Sequence, residues 1–144
     1  MARVKLIIPE KKIFTAAIPI RITDINYGNH VGNDAIVSII HEARMQWLTS
    51  NNYTELNIDA AALIMADLAI EYKAESFYGD ILQVAISIAE ITKISFEIFY
   101  EITCTRNDKN LLIAKAKTGM VCFDYEARKV TTIPQKFAAL INGI

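Results

Sequence analysis

After Asn57, apolar residues recur at every second position, and the pattern runs on to Cys122. Ile64, Ala66, Leu68, Ile70 and Tyr72 alternate with Asp67, Glu71 and Lys73, and Leu82, Val84, Ile86 and Ile88 alternate with Gln83 and Ser87. Ile94 to Cys104 and Leu112 to Cys122 repeat it, with Glu97, Glu101, Lys115 and Lys117 on the opposite parity. Successive strand side chains point to opposite faces, so this stretch specifies four consecutive strands with one buried face, an antiparallel meander. Asn107-Asp108-Lys109-Asn110 is the turn between the last two. A hairpin centred on Asp108 and Lys109 sets Cys104 opposite Ile113. That leaves about 30 Å of strand between Cys104 and Cys122, so the two are expected as separate buried thiols.

The chain before the meander changes period twice. Lys12 to Ile22, β-branched and apolar with one proline, reads as a strand near a sheet edge. Thr23 to Asn33 then holds Gly28, Gly32 and three asparagines, which tolerate tightly turned backbone, and reads as an ordered loop. From Asp34 the spacing of Ile36, Ile40, Ala43 and Trp47, widened by Val37, Ile39 and Leu48, is that of a helix. Asn33 suits its N-cap and Asn51-Asn52 its end, giving about seventeen residues and roughly 25 Å. Pro134 opens a second, short helix carrying Phe137, Leu140 and Ile141, with Gly143 as its stop.

One long helix over one antiparallel sheet is an α+β arrangement in which each element buries the other's apolar face. Glu71, Lys73, Lys115 and Lys117 wet the far face of the sheet, whereas Leu63, Met65 and Ala69 do not. A partner subunit is therefore expected there or at an edge strand. No Pro/Gly/Ser-rich linker divides the 144 residues, so 1–144 is expected to be one domain.

Charge narrows the function classes. Fifteen Lys plus Arg against sixteen Asp plus Glu leave a net charge of -1, with no basic excess for nucleic-acid phosphates. No apolar run is long enough for a membrane span, and no signal-peptide core precedes Pro9, so a cytoplasmic protein is expected. The two cysteines and two histidines do not form a zinc set, and no phosphate-binding glycine motif occurs, so neither a metal nor a bound cofactor is expected.

The stretch Arg21-Ile22-Thr23-Asp24-Ile25-Asn26-Tyr27-Gly28-Asn29-His30-Val31-Gly32-Asn33, continuing to His41-Glu42-Ala43-Arg44, resembles a known signature. It is that of the hotdog-fold thioesterase family typified by 4-hydroxybenzoyl-CoA thioesterase, D-x-D-x-x-G-H-V-N-N followed by E-x-A-R. Tyr72 with Tyr78-Gly79-Asp80, and Val121-Cys122-Phe123-Asp124 with Pro134, resemble two further blocks, so the likeness covers about residues 15–135. It implies a hotdog fold with one long helix wrapped by about five strands, an acyl-CoA or acyl-carrier-protein substrate, coenzyme A entering only as part of that substrate, and a homodimer or homotetramer.

Where the family's usual catalytic carboxylate stands, this chain has Asn26; its glycine sits one residue earlier, at Gly28, and Gly32 replaces the first asparagine. An amide is neither a general base nor a nucleophile. The D-x-N form resembles a sister branch of acyl-CoA hydrolases, which implies that Asn26 polarises the thioester while a helix acid, Glu42, handles water. Free N–H groups at the helix N-terminus would add to that polarisation, with Gly28, Val31, Gly32 and Asn33 shaping the approach. Asp24 reads either as a cap of the loop or as a catalytic acid, and His30 either as a structural stitch or as a contact to the substrate carbonyl. Glu42 reads as a solvated neighbour of Arg44 or, beside Ile39, Ile40 and Ala43, as a partly buried base. His41 is expected at the surface or an interface, and Asp67 could complete the site from a partner subunit. Lys73, Lys93, Lys117, Arg128 and Lys129 are equivalent candidates for the phosphates of coenzyme A. A non-catalytic acyl-binding or scaffold module, and a hydratase using a histidine and an acid, are the competing readings.

Overall fold

A computed structural model describes residues 1–143. Its order is β1 (Phe14–Pro19), a 3-10 turn (Ile22–Asp24), α1 (Asn33–Ser50), β2 (Ala62–Tyr72), β3 (Ile81–Ala89), β4 (Ser95–Arg106), β5 (Lys109–Asp124), β6 (Lys129–Val130) and α2 (Gln135–Asn142). The strands form one antiparallel sheet ordered β1-β3-β4-β5-β2, with the two-residue β6 added to the end of β5, so the sheet has six strands where about five were expected. β1 and β2 are the edges, and Pro19 ends an edge strand, where its missing N–H costs no ladder bond. α1 lies across the sheet and buries Ile36, Ile39, Ile40, Ala43, Arg44, Trp47 and Leu48, the stripe its period specifies. This is the hotdog arrangement. Among the described residues no helix is long and apolar enough to cross a membrane.

Three local expectations are corrected. The N-cap of α1 is Gly32, with extended backbone at φ -68° and ψ 152°, and Asn33 is already helical. Asn33 turns its Oδ1 onto the N–H of Asp34 at 2.9 Å instead of reaching further into the first turn. In the β4–β5 hairpin the loop is Asn107-Asp108, both left-handed at φ 52° and 62°, so Arg106 pairs with Lys109 and Cys104 faces Leu111, not Ile113. Two adjacent positive-φ residues make the turn whose twist matches the strands, and Asn and Asp tolerate it best after Gly. Both cysteines remain free and buried, as expected.

The third correction concerns β2. Leu63 pairs with Cys122 and Leu68 with Thr118, both helix-facing positions, although 63 and 68 differ in parity. A bulge between Met65 and Asp67 moves the helix-facing side from odd to even residues, so Ile64 and Ala66 do not share a face with Leu68, Ile70 and Tyr72. Asp67 holds the bulge, accepting the N–H of Gly119 at 2.8 Å and the Lys117 ammonium at 3.0 Å. A side chain at Gly119 would put its Cβ 2.5 Å from Asp67 Oδ1, so the close approach needs glycine.

The face of the sheet away from α1 is crossed by the chain's own N-terminal segment. Leu6 N–H donates to Glu71 on β2, Lys115 on β5 reaches the Leu6 carbonyl, and Ser87 on β3 donates to the Pro9 carbonyl. At the β2 edge Met65 and Leu68, both on the helix-facing side, stay exposed.

A buried polar chain fastens α1 to the sheet. Arg44 is 5% exposed; its Nη1 donates to the Tyr100 hydroxyl at 3.0 Å and its Nε to Glu55 at 3.0 Å. Burial pushes the Tyr100 phenol up, so it keeps its proton while its oxygen accepts from Arg44, and Thr118 lies 2.8 Å away. At the far end Phe137 of α2 packs on Trp47, Tyr53 and Phe96, with ring centroids 5.3 to 6.0 Å apart. At the near end the β2–β3 loop is tied down by Asp80, which takes the Arg106 guanidinium at 2.6 Å and the Phe77 N–H at 2.8 Å.

Two consequences are measurable. Tyr100→Phe removes the hydroxyl that Arg44 and Thr118 share, and urea unfolding should show a loss of about 1–3 kcal/mol; an unchanged midpoint would mean that the chain carries no stability. Burial alone would raise the Asp80 carboxyl, but the Arg106 guanidinium and the Phe77 N–H outweigh it and hold it below the usual carboxylate range. A depressed folded pKa stabilises the fold above the unfolded value of about 3.9 and loses that contribution as pH falls through the folded value. The Tm advantage of wild type over Asp80→Asn should therefore be widest at neutral pH and close on acidification; an advantage that widens in acid would contradict the pairing.

Candidate functional site

The loop ahead of α1 is built from short backbone bonds. Arg21 N–H donates to Asp24 Oδ2 at 2.8 Å and its guanidinium lies 3.5 Å from Oδ1, which closes the 3-10 turn and leaves Asp24 5% exposed. A bridge between Ile25 and Val31 then closes the tip, where Asn26 N–H donates to the His30 carbonyl at 2.9 Å and Asn29 N–H to the Asn26 carbonyl at 3.1 Å. The left-handed residue of this tip is Asn29, at φ 66°; neither Gly28 nor Gly32 has a positive φ. Those glycines serve close approach. A Cβ on Gly28 would stand 3.2 Å from His30 Nε2 and 3.3 Å from Asn26 Oδ1, and one on Gly32 would stand 2.6 Å from Asp34 Oδ1.

The backbone donors expected to polarise a substrate are largely in use. Val31 N–H donates to the Ser76 carbonyl at 2.8 Å, Gly32 N–H to the Asp24 carbonyl at 3.0 Å, Asp34 N–H to Asn33 Oδ1, and Ala35 N–H to the Gly32 carbonyl at 3.1 Å. Val31 is buried and Asn33 exposed, its carbonyl taken by the Tyr72 hydroxyl at 2.8 Å. Asn26 is different. Its Oδ1 accepts the Gly28 N–H at 2.8 Å, which a flipped amide could not do, so oxygen and nitrogen are assigned by the bond itself. Its Nδ2 donates to no group among the described residues.

Two connected hollows lie on the β1 side of α1. A cleft of about 290 Å³ is lined by Asp24, Asn26, Gly32, Asp34 and Ser38. A groove of about 460 Å³ between β1 and α1 shares Arg21, Asp24 and Ser38 with it and continues past Ile18, Ile39 and Met45 to Glu42 and Gln46. Asp34, Ser38, Glu42 and Gln46, four residues apart, form the polar edge of α1 along this path. A third cavity, of about 340 Å³, lies on the β2 side of the loop among His30, Val31, Asn33, Tyr72, Lys73 and Ser76.

The structure thus sorts the candidates. Asn26 and His30 come together at Gly28, and Asp24 stands behind them with its carboxylate held by Arg21. Glu42 is exposed and takes a hydrogen bond from Gln46 at 2.8 Å, so the expected partial burial is corrected: Ile39, Ile40 and Ala43 turn to the sheet and Glu42 turns off it. It sits two turns beyond Asp34, about 12 Å along the axis. Asp67 lies on the sheet face away from α1, where the Lys117 hydrogen bond holds its carboxyl below the usual range. Lys117 shares that face, and Lys93, Arg128 and Lys129 lie at the opposite end of the sheet, around the end of β5. Lys73 alone of the five cations lines a cavity beside the loop, paired with Glu71 at 2.7 Å. His41 is exposed, 2.6 Å from Glu55. Sequence reading gave no role to Asp34, Ser38, Tyr72 or Ser76; the four-residue spacing of Asp34, Ser38 and Glu42 could have signalled the first two, and Tyr72 stood only in a block resembling the family.

Residues 20–141 match the family model described as thioesterase-like superfamily. The fold is similar to that of 1,4-dihydroxy-2-naphthoyl-CoA thioesterase from Synechocystis, with a TM-score of 0.80, 27% identity, and coverage of 91% of this chain and 96% of that one. It is similar to DHNA-CoA thioesterase from Staphylococcus aureus (TM-score 0.74, 15% identity, 89% and 85% covered). It is also similar to an Asp-to-Asn mutant of 4-hydroxybenzoyl CoA thioesterase complexed with 4-hydroxybenzoyl CoA (TM-score 0.79, 15% identity, 89% and 97% covered). At 15% identity the last two show the fold alone. A comparison with curated proteins finds no match. The family match spans the loop, the long helix and all but the first of the strands, and this chain belongs to the thioesterase-like superfamily.

Proposed function

We propose that the protein hydrolyses an acyl thioester carried on coenzyme A or an acyl-carrier protein, and that the reaction takes place beside Asn26. The observation that carries this reading is the side-chain amide of Asn26, whose oxygen is committed to Gly28 and whose nitrogen is left for a ligand in the cleft it lines. A carbonyl oxygen set on that nitrogen gains a donor as it becomes an oxyanion, worth about 3 kcal/mol in a preorganised site. The apolar groove between β1 and α1 supports accommodation of the acyl chain, with Ile18, Ile39 and Met45 on its walls. Glu42, one turn beyond Ser38 of Asn26's cleft, belongs in this reading to the groove wall, where it orients a distal polar part of the substrate. Asp24 holds the loop in shape through Arg21.

The bare β2 edge, with Met65 and Leu68 exposed, supports a homodimer in which two such strands extend one sheet into the next; a homotetramer would pair two such dimers.

Purified protein assayed on acyl-CoA thioesters with straight, branched and aromatic acyl groups should release thiol, and Asn26→Ala should lower kcat by about 10²- to 10³-fold with the fold intact. Glu42→Gln should act on KM and leave kcat within about threefold. Binding of acyl-CoA in calorimetry without turnover would reject the hydrolase in favour of an acyl-binding module. Light scattering should give twice the 16.1 kDa chain mass or a multiple of it, and a Met65→Lys/Leu68→Lys variant should run as a monomer; a dimer unmoved by these changes would place the interface elsewhere.

A further inference from the structure

We infer that His30, through Nε2, is the group that takes the proton from the attacking water, a role the sequence had divided between a structural stitch and a carbonyl contact. The inference rests on the thioester-hydrolase reading above. Nδ1 of His30 lies 3.1 Å from the Val31 carbonyl oxygen. A carbonyl can only accept, so Nδ1 carries the hydrogen, and in the neutral ring Nε2 is left with the lone pair. A neutral His30 therefore has no proton to offer a substrate carbonyl at that nitrogen. It can accept one.

Position agrees with chemistry. Nε2 lies within 3.2 Å, and Asn26 Oδ1 within 3.3 Å, of the point where a Cβ on Gly28 would stand, so both side chains flank the same side of Gly28 and only glycine lets them come this close. The carboxylates are placed differently. Asp24 holds the Arg21 turn, Glu42 takes the Gln46 amide, and Asp34, which lines the cleft with Asn26, has its Oδ1 beside Gly32. His30 shares the β2-side cavity with Tyr72, Lys73, Glu75 and Ser76.

The step balances without a further reagent. Nε2 takes a proton from water, the hydroxide oxygen forms a bond to the thioester carbon, and the carbonyl π pair moves to the oxygen held by Asn26 Nδ2. Collapse breaks the carbon–sulfur bond, the pair leaves on sulfur, and the imidazolium returns its proton to the thiolate. The products are an acid and a thiol.

Three measurements test this together. Nitrogen-15 shifts of His30 should report the neutral ring protonated at Nδ1; protonation at Nε2 overturns the assignment whatever the activity. His30→Ala should lower kcat by about 10²- to 10⁴-fold, and added imidazole should restore part of the rate, with no such rescue for Asn26→Ala. His30→Asn keeps a donor for the Val31 carbonyl but lacks the Nε2 lone pair, so it should fold like wild type and stay as slow as His30→Ala. Wild-type turnover with either variant within about threefold of it, or with no imidazole rescue, overturns the role of His30 alone. Failure of wild type to hydrolyse any thioester overturns the hydrolase reading and this inference with it.

Discussion

The head of α1 is set by two backbone bonds, Val31 N–H to the Ser76 carbonyl and Gly32 N–H to the Asp24 carbonyl, and the candidate site follows from that clamp. One bond ties the loop to the β2–β3 connection, which Asp80 and Arg106 in turn fasten to β4. The other closes the loop on itself. Together they use amides that an unrestrained loop would offer to a ligand, and they leave the side chains of Asn26 and His30 flanking Gly28 at the tip. Preorganisation is useful to catalysis because donors that are already aimed need no reorganisation when charge develops. A clamp that consumes backbone donors therefore fits a site that works with side chains.

The sheet manages its two faces by different means. α1 covers one, and the Arg44, Tyr100, Glu55 and Thr118 chain gives the buried interface a polar seam that fits one docking of helix on sheet. The N-terminal segment crosses the other, meeting Glu71, Lys115 and Ser87 on three different strands. The bulge at Asp67 lets β2 continue past a point where its parity no longer fits. Satisfying a bulge's spare backbone group with a carboxylate and a lysine is inexpensive on an exposed edge, where water competes little worse than in the unfolded chain.

The replacement of the family's acid by Asn26 changes what each neighbour has to do. A carboxylate there could serve as base; an amide supplies a donor instead, and the proton has to go elsewhere. In the proposed reading His30 meets that need, because its ring is tethered to the Val31 carbonyl through Nδ1. The two glycines matter here through absence of bulk, since a methyl at Gly28 would crowd His30 and Asn26 and one at Gly32 would displace Asp34.

Much of the fold could be read in the one-dimensional pattern because burial imposes a period, and a period survives in sequence: two for the strands of the meander, 3.6 for Ile36 to Leu48, with Asn and Gly marking the loop between. The residues Asn26, Gly28 and His30 were likewise legible, being neighbours in a short loop of unusual composition. Which nitrogen of His30 holds the proton was not, nor that Gly32 and not Asn33 caps the helix, because each depends on where one carbonyl or one N–H happens to lie. The parity of β2 failed for a related reason: a bulge is a one-residue event fixed by Asp67 meeting Gly119 from another strand, which no local spacing records. Glu42 was misplaced inward because neighbours in sequence on a helix face different directions, and only packing tells which of them meets the sheet. Sequence alone determined the main elements, their order and the loop proposed to carry the site, since these follow from local spacing. Tertiary structure decided which side chains converge and which donors remain free, since hydrogen bonds between distant residues are settled only when the chain has closed on itself.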